Sequence, residues 1–273
     1  MKRAGYFLLY LCLAVVAVFQ IFPVVWLFLF SLKDNQDIFS KSPFSLPTEF
    51  RWENYEKVWE GGIGTYFWNS IWITAVAIIL TVLFASMATF VITRMQWKFS
   101  KLVLGLFMVG LMIPIHSSII PLFSMFLHVN LIDNPWSIVI TYTAYNLPIT
   151  IMILLGFYYT LPSEIEEAAI MDGCSIHRLF FRIILPMTIP VMSTTVIINM
   201  IYNWNEFVFV NTFISSDQYK TLTVGIQNFI GQYMTDWGAI GATLVISVLP
   251  ILLAFLFFSN KVVEGISSSA VKG

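Results

Sequence analysis

Charge is what this chain most lacks. Of its 273 residues only 11% are Asp, Glu, Lys or Arg, while 58% are hydrophobic and 16% aromatic. A soluble domain carries about 25% charged residues, so a water-facing globule of this size is excluded, whereas a body whose outer face meets lipid is not. The formal net charge of -1 leaves no basic excess to meet a phosphate backbone and argues against a nucleic-acid partner. Cysteine is nearly absent: Cys12 lies in a long apolar run and Cys174 in a polar connector, so both read as reduced and no disulfide framework supports the fold. His116, His128 and His177 are scattered, and His177 just after Cys174 is too little for a metal site. No metal or cofactor is expected. A G-x-x-x-x-G-K-[ST] phosphate loop is missing, so the chain is not expected to hydrolyse ATP itself. Nor do the apolar stretches hold a His/Asp/Glu or Cys constellation that would suggest a membrane enzyme.

What the sequence has in abundance is long apolar runs. A spanning helix needs about 20 mostly apolar residues, and six stretches qualify: 6–32, 68–93, 102–127, 137–160, 186–210 and 238–260. The first exceeds a signal-peptide core of about 7–15 residues and ends in bulky side chains, so it reads as a retained span. The expected fold is all-α, a single polytopic membrane domain over 1–273 with six transmembrane helices. The fifth run is the weakest, because its second half, Asn-Met-Ile-Tyr-Asn-Trp-Asn-Glu-Phe from Asn199, is polar. Lys2, Arg3, Arg94, Lys98, Lys101, Arg178, Arg182, Lys261 and Lys272 fall on the side of the N-terminus. Only Lys33, Lys41, Arg51, Lys57 and Lys220 fall opposite, most of them in one loop rich in acids. That bias predicts both termini in the cytoplasm of a bacterial or archaeal cell, with the chain in its inner membrane. The loop 33–67, with Pro43, Pro47 and Gly61-Gly62-x-Gly64, reads as an outer cap with one short helix around 53–59. Pro23, Pro114, Pro121, Pro148 and Pro250 fall inside spans, where proline frees a carbonyl and kinks the helix.

The connector 161–185 carries the most specific pattern. Pro162 stops the preceding helix, and Ser163 with Glu166 has capping-box spacing. Helix formers follow to Met171, Asp172-Gly173 supplies a stop, and Ser175 can cap a second helix that feeds into the fifth span. The expectation is a short helix-turn-helix on the cytoplasmic surface. Glu167-Ala168-Ala169, then Asp172-Gly173, then Ile183 and Leu185-Pro186 reproduce a signature at its full spacing. It resembles the EAA loop of binding-protein-dependent ABC importer permeases. The six-run layout, Asn205-Glu206-Phe207 and the C-terminal Val-Lys-Gly look like the maltose and multiple-sugar branch of that family. The likeness covers nearly the whole chain, though only the EAA loop is highly specific.

The resemblance implies a coupling helix that docks into a cleft on a cytoplasmic ATPase. Small Ala168 and Ala169 would permit close approach, Gly173 a turn, and Glu167 a charge for a basic partner group. It also implies four kinds of partner: a second permease subunit that completes a heterodimer, two ATPase subunits, an extracytoplasmic sugar-binding protein, and the lipid bilayer. The expected cargo is an oligosaccharide such as a maltodextrin or an α-galactoside. Candidates for its path are Tyr145 and Asn146 in the fourth run and Tyr202, Asn203, Trp204, Asn205 and Glu206 in the fifth, where polar groups are costly in lipid. At each, the alternative is an interhelical hydrogen bond. Glu206 could instead help dock the binding protein, and the C-terminal tail could lie along the ATPase pair. Other solute classes share the EAA loop and stay open. A secondary transporter would want mid-membrane ion-coordinating residues and a repeated half, and neither is evident.

Overall fold

Lipid offers no hydrogen-bond partners, so a chain this apolar must satisfy its backbone within helices or a closed barrel. Helices are the outcome. The structure is a computed structural model describing residues 2–95, 97–230 and 235–270, with side chains described over 5–95, 97–230 and 235–257. In chain order the helices are α1 (Lys2–Ser31), α2 (Asn35–Ser40), α3 (Glu53–Glu60), α4 (Ile63–Arg94), α5 (Ser100–Met112), α6 (Ile119–His128) and α7 (Pro135–Tyr158). There follow α8 (Glu164–Met171), α9 (Ile176–Leu179), α10 (Leu185–Met187), α11 (Ile189–Asn205), α12 (Val208–Phe213), α13 (Leu222–Gly225) and α14 (Trp237–Ala270). Among the described residues the only β pairing is an isolated bridge between Ile230 and Thr235.

Among the described residues, four helices are long and apolar enough to cross a membrane: Gly5–Ser31, Ile63–Arg94, Pro135–Tyr158 and Trp237–Phe257. Six crossings require that each of two bent pairs be one span. Ser100–Met112 and Ile115–His128 meet at 96°, and Ile176–Met187 and Ile189–Asn205 at 73°. Proline accounts for both bends. Ile113 is extended (ψ 123°) ahead of Pro114, as a residue before proline prefers. The run 102–127 is therefore not one kinked rod; it breaks at Pro114 and resumes through a 3-10 turn, Ile115–Ser118. At the second bend Pro186 and Pro190 cannot donate to carbonyls one turn back. The helix widens to a π segment over Phe180–Ile184 and turns at Thr188 (φ -89°, ψ 0°). The second helix expected from Ile176 does lead into α11, but through this elbow rather than straight.

The centre of the molecule is the α4–α7 pair. Along their contact α4 buries Ile73, Ala77, Thr81, Ala85, Ser86 and Thr89, and α7 buries Ile138, Thr141, Tyr142, Ile151 and Leu154. Thr81, Thr89 and Thr141 donate to the carbonyls of Ala77, Ala85 and Ser137, each at 2.7 Å. Small residues whose hydroxyls return to their own helix let two backbones approach without stranding a donor in lipid. α11 and α14 pack beside this pair. By contrast α1 is exposed along most of its length and seats only at its C-terminal end, where Leu32 and Ser31 are buried. There α14 crosses so closely that a Cβ on Gly241 would lie 2.8 Å from the Phe30 ring and 2.9 Å from the Ser31 Cα.

The helices define two ends. One collects the C-termini of α4 and α7 with α8 and α9. The other collects the C-terminus of α1, the loop from 33 to 62, α12 and the start of α14. At that second end Asn54 Nδ2 donates to Ser31 O and Lys33 O, both at 2.9 Å, and the short helix expected around 53–59 is α3.

Candidate functional site

Helix α8 and its flanks form the first candidate site. Its first turn carries Glu164, Glu166 and Glu167, acids that suit the positive end of a helix dipole. The expected capping box does not form. Ser163 is helical (φ -67°, ψ -25°), not extended as a capping residue would be, and makes no side-chain cap, while Glu166 reaches Arg94, 3.1 Å from Nε to Oε1. Burial pushes the Glu166 carboxyl above the ordinary glutamate range, against the pull of Arg94. Ser175 stands at the start of α9 in extended backbone, also without a side-chain cap.

The C-terminal stop is as expected. Gly173 has φ +75°, Cys174 N–H donates to Ala169 O and Gly173 N–H to Ile170 O, both at 2.9 Å. These are the paired bonds of a Schellman motif, which needs the left-handed residue that glycine supplies without strain. Space around Gly173 is open, with nothing within 4 Å of an added Cβ.

The signature residues divide between two faces. Ala169 is buried, packed with Tyr158, Leu179, Phe180 and Ile184, while Ile183 and Leu185 lie half-buried against the same cluster. Glu167, Ala168, Asp172, Gly173 and Pro186 are exposed. This corrects the expectation that both alanines face a partner: Ala168 does face outward, but Ala169 is small so that α8 can sit close on its own bundle. Two exposed apolar residues escaped sequence reasoning, Ile170 (58% exposed) and Met171 (86%). They read as ordinary helix formers, and only the position of α8 shows that nothing covers them. Arg94 was missed too, counted for its charge and not for its reach.

The second candidate site lies between α7 and α11. Asn146 Nδ2 donates to Asn203 Oδ1 at 2.7 Å, and the Tyr145 hydroxyl donates to the same oxygen at 3.3 Å. Tyr142 donates to Glu206 Oε2 at 3.2 Å, and Glu206 also accepts from Phe209 N–H at 2.8 Å and Val210 N–H at 3.3 Å. Glu206 thus ends α11 and starts α12. The remaining candidates are not brought into this group. Trp204 is buried, donating to Ser247 O of α14 at 3.0 Å. Tyr202 is 57% exposed, and the exposed Asn205 amide turns back to Ile201 O at 2.8 Å. Sequence reasoning also missed Asn199, fully buried, which donates to Thr150 Oγ1 at 3.1 Å. Asn203 Nδ2 is buried without a hydrogen-bond partner, so this polar seam has one spare donor.

Asp133 fastens the end opposite α8. Its carboxylate accepts from Ser215 N–H at 2.9 Å and Ser216 N–H at 2.8 Å, and from the Ser216 hydroxyl. These bonds, led by that of the Ser216 hydroxyl, hold the carboxyl below its ordinary range. The C-terminal 271–273, whose Val-Lys-Gly entered the family resemblance, lies outside the described residues.

Comparison with known proteins identifies the family of the chain. The model of the family described as "Binding-protein-dependent transport system inner membrane component" matches residues 81–265. A probable ABC transporter permease protein of Bacillus subtilis, YurM, is 36% identical over 252 residues, covering 92% of this chain and 84% of that protein. NgcG of Streptomyces coelicolor, a diacetylchitobiose uptake system permease protein, is 34% identical over 260 residues, 94% of this chain and 85% of its own. MsmG of Streptococcus mutans, a multiple sugar-binding transport system permease protein, is 30% identical over 275 residues, 99% of each. A crystal structure of a bacterial ABC transporter involved in alginate import contains a chain that superimposes with a TM-score of 0.81 at 17% identity, over 95% of this chain and 96% of that one. The likeness at that identity concerns the fold. The chain belongs to the family of inner-membrane components of binding-protein-dependent transport systems, and is an ABC importer permease, a transport subunit that works with a separate ATPase and a substrate-binding protein.

Proposed function

We propose that this chain forms half of the translocation path of a sugar importer and receives the ATPase through α8 and its flanks. The observation that carries the reading is the one-sided packing of α8. Ala169 is seated on the bundle, while Glu167, Ala168, Ile170 and Met171 stand bare on a helix closed by Gly173. A short helix with an acidic start and an exposed apolar tip, closed by a tight turn, is the mark of an interaction site, and its acidic start suits a basic protein partner. Arg94, Lys98, Lys101, Arg178 and Arg182 all fall at this end, and basic residues favour the cytoplasmic side. The chain is then multi-pass, with α8 and both termini in the cytoplasm and the connector 161–185 as its coupling loop.

Movement of α8 reaches α7 directly and α11 through the π segment and the Thr188 elbow, so a partner closing on ATP would tilt both helices. The Tyr145–Asn146–Asn203–Glu206 group lies between those two helices and would be parted by that tilt, releasing amide and hydroxyl groups suited to a sugar. Tyr202 and Asn205 are accessible from the start. The complex in this reading holds a second permease subunit, two ATPase subunits and an extracytoplasmic binding protein. Relatives whose names specify diacetylchitobiose uptake and multiple sugar-binding transport support an oligosaccharide as cargo.

The test is reconstitution with the partner chains in proteoliposomes, following uptake of labelled maltotriose, raffinose and diacetylchitobiose. Hydrolysis should require the ATPase chain and rise with loaded binding protein. Glu167→Lys and Gly173→Trp should insert normally yet abolish uptake and weaken retention of the ATPase. Wild-type transport by both variants would refute the coupling role, and transport of a non-sugar solute alone would refute the cargo.

A further inference from the structure

Arg94 is the last residue of α4, and the signature that marks the coupling loop does not include it. Its Nη2 donates to Tyr158 O at 2.6 Å and to Leu161 O at 2.9 Å, carbonyls 64 and 67 positions along the chain. Its Nε faces Glu166 Oε1 at 3.1 Å, an ion pair whose alignment makes no hydrogen bond. Both side chains are largely shielded, 13% and 14% exposed. The carbonyls belong to the last turn of α7 and the link beyond it, where a helix leaves acceptors unsatisfied and its dipole favours a cation. One guanidinium therefore joins the end of α4, the end of α7 and the first turn of α8.

This junction differs from a surface ion pair, which contributes little. Removing one member would leave the other charge unpaired in a shielded place, the arrangement in which loss of a partner is costly. It also bridges a gap in connectivity. α8 is joined through the chain to α7 on one side and to α9, α10 and α11 on the other, but α4 has no such link. Beyond the clasp, α4 meets this region through the Tyr158 hydroxyl, which donates to Ser86 O at 3.4 Å, and through packing such as Phe90 on Phe180, with ring centroids 5.2 Å apart.

We propose that Arg94 and Glu166 are positioning residues of the coupling loop, clasping α8 to the ends of α4 and α7 so that displacement of α8 is delivered to α4. The proposal rests on the reading of α8 as the ATPase contact. It makes α4 and α7 one rigid block at this end, driven together, and assigns Glu166 an inward role distinct from the outward role of its neighbour Glu167.

The test follows α4 at its far end. In the assembled complex, with Cys12 and Cys174 replaced by serine, a single cysteine is placed by Trp68→Cys, an exposed site on α4. Its maleimide labelling rate is compared without nucleotide and with ATP and vanadate, and ATP hydrolysis is measured on the same preparation. The parent should change its labelling rate about fivefold. Arg94→Gln and Glu166→Gln should each abolish that change while retaining the ATPase chain and hydrolysis. The double variant should be no worse than either single, as expected of residues that act as one unit, and Arg94→Lys should recover part of the response. An unchanged response in either single variant, additive losses in the double, or loss of the ATPase chain from the variants would overturn the clasp. So would a parent whose labelling ignores nucleotide. A parent that never retains the ATPase chain would instead fail the coupling reading, and the clasp with it.

Discussion

Gly173 shows how a single residue can be required by backbone rather than by space. With φ +75° and open surroundings, a side chain there meets no neighbour but strains the left-handed turn by about 1–2 kcal/mol. Gly173→Asn should therefore be nearly neutral for the fold of the loop and Gly173→Val clearly worse, measured as uptake and as protease resistance of the 161–185 connector. Equal behaviour of the two would mean that bulk against a partner, and not φ, sets the requirement. Asn203 poses a different question, since its amide nitrogen is buried and donates to no acceptor. Asn203→Ala should lower stability in detergent by about 0.6–1.7 kcal/mol, the range for interhelical hydrogen bonds in membranes. If it is also a sugar contact, KM for uptake should rise beyond what Asn146→Ala produces. Tyr202→Ala, at an exposed site, should leave thermal stability unchanged.

Helix α12 is held at both ends by carboxylates, Glu206 before it and Asp133 beyond it. Asp133 stands in the left-handed region (φ +57°), which Asn tolerates, so Asp133→Asn keeps the turn but makes the acceptor of two backbone hydrogen bonds neutral. Bonds to a charged acceptor are worth about 1.5–3 kcal/mol against about 1 kcal/mol for neutral ones, so its melting temperature should fall at neutral pH. The carboxyl is held below its ordinary range. Its contribution is thus complete above the unfolded value of about 3.9 and lost as pH falls through the lowered one. The melting-temperature gap between wild type and Asp133→Asn should close in that acid window and nowhere above it. A gap that persists below the window would show that packing, not ionisation, fastens this end. At the α1–α14 crossing space is the limit: Gly241→Leu would drive a side chain into Phe30 and Ser31. Overpacking of this kind costs about 1–3 kcal/mol and should loosen α1 without touching the coupling loop, so hydrolysis by the assembled complex should survive.

Across the whole molecule, apolar run length and loop charge were enough to indicate an all-helical membrane body, because lipid leaves the backbone few alternatives. The spacing from Glu167 to Pro186 was enough to single out the loop we propose as the ATPase contact, because each of its signature positions is defined along the chain. What spacing could not convey is which way a residue faces once helices pack. Ala168 and Ala169 are neighbours in sequence and opposite in role, Glu166 leaves a capping box for Arg94, and the polar half of α11 splits into a buried seam and an exposed edge. Prolines foretold bending, but not its extent, 96° and 73° in the two bent pairs. The chain alone dictated which segments become helices and where the loop must turn, since those depend on local transfer energy and backbone preference. Only the folded arrangement decided which faces meet and which charges pair, since those depend on atoms distant in sequence coming into contact.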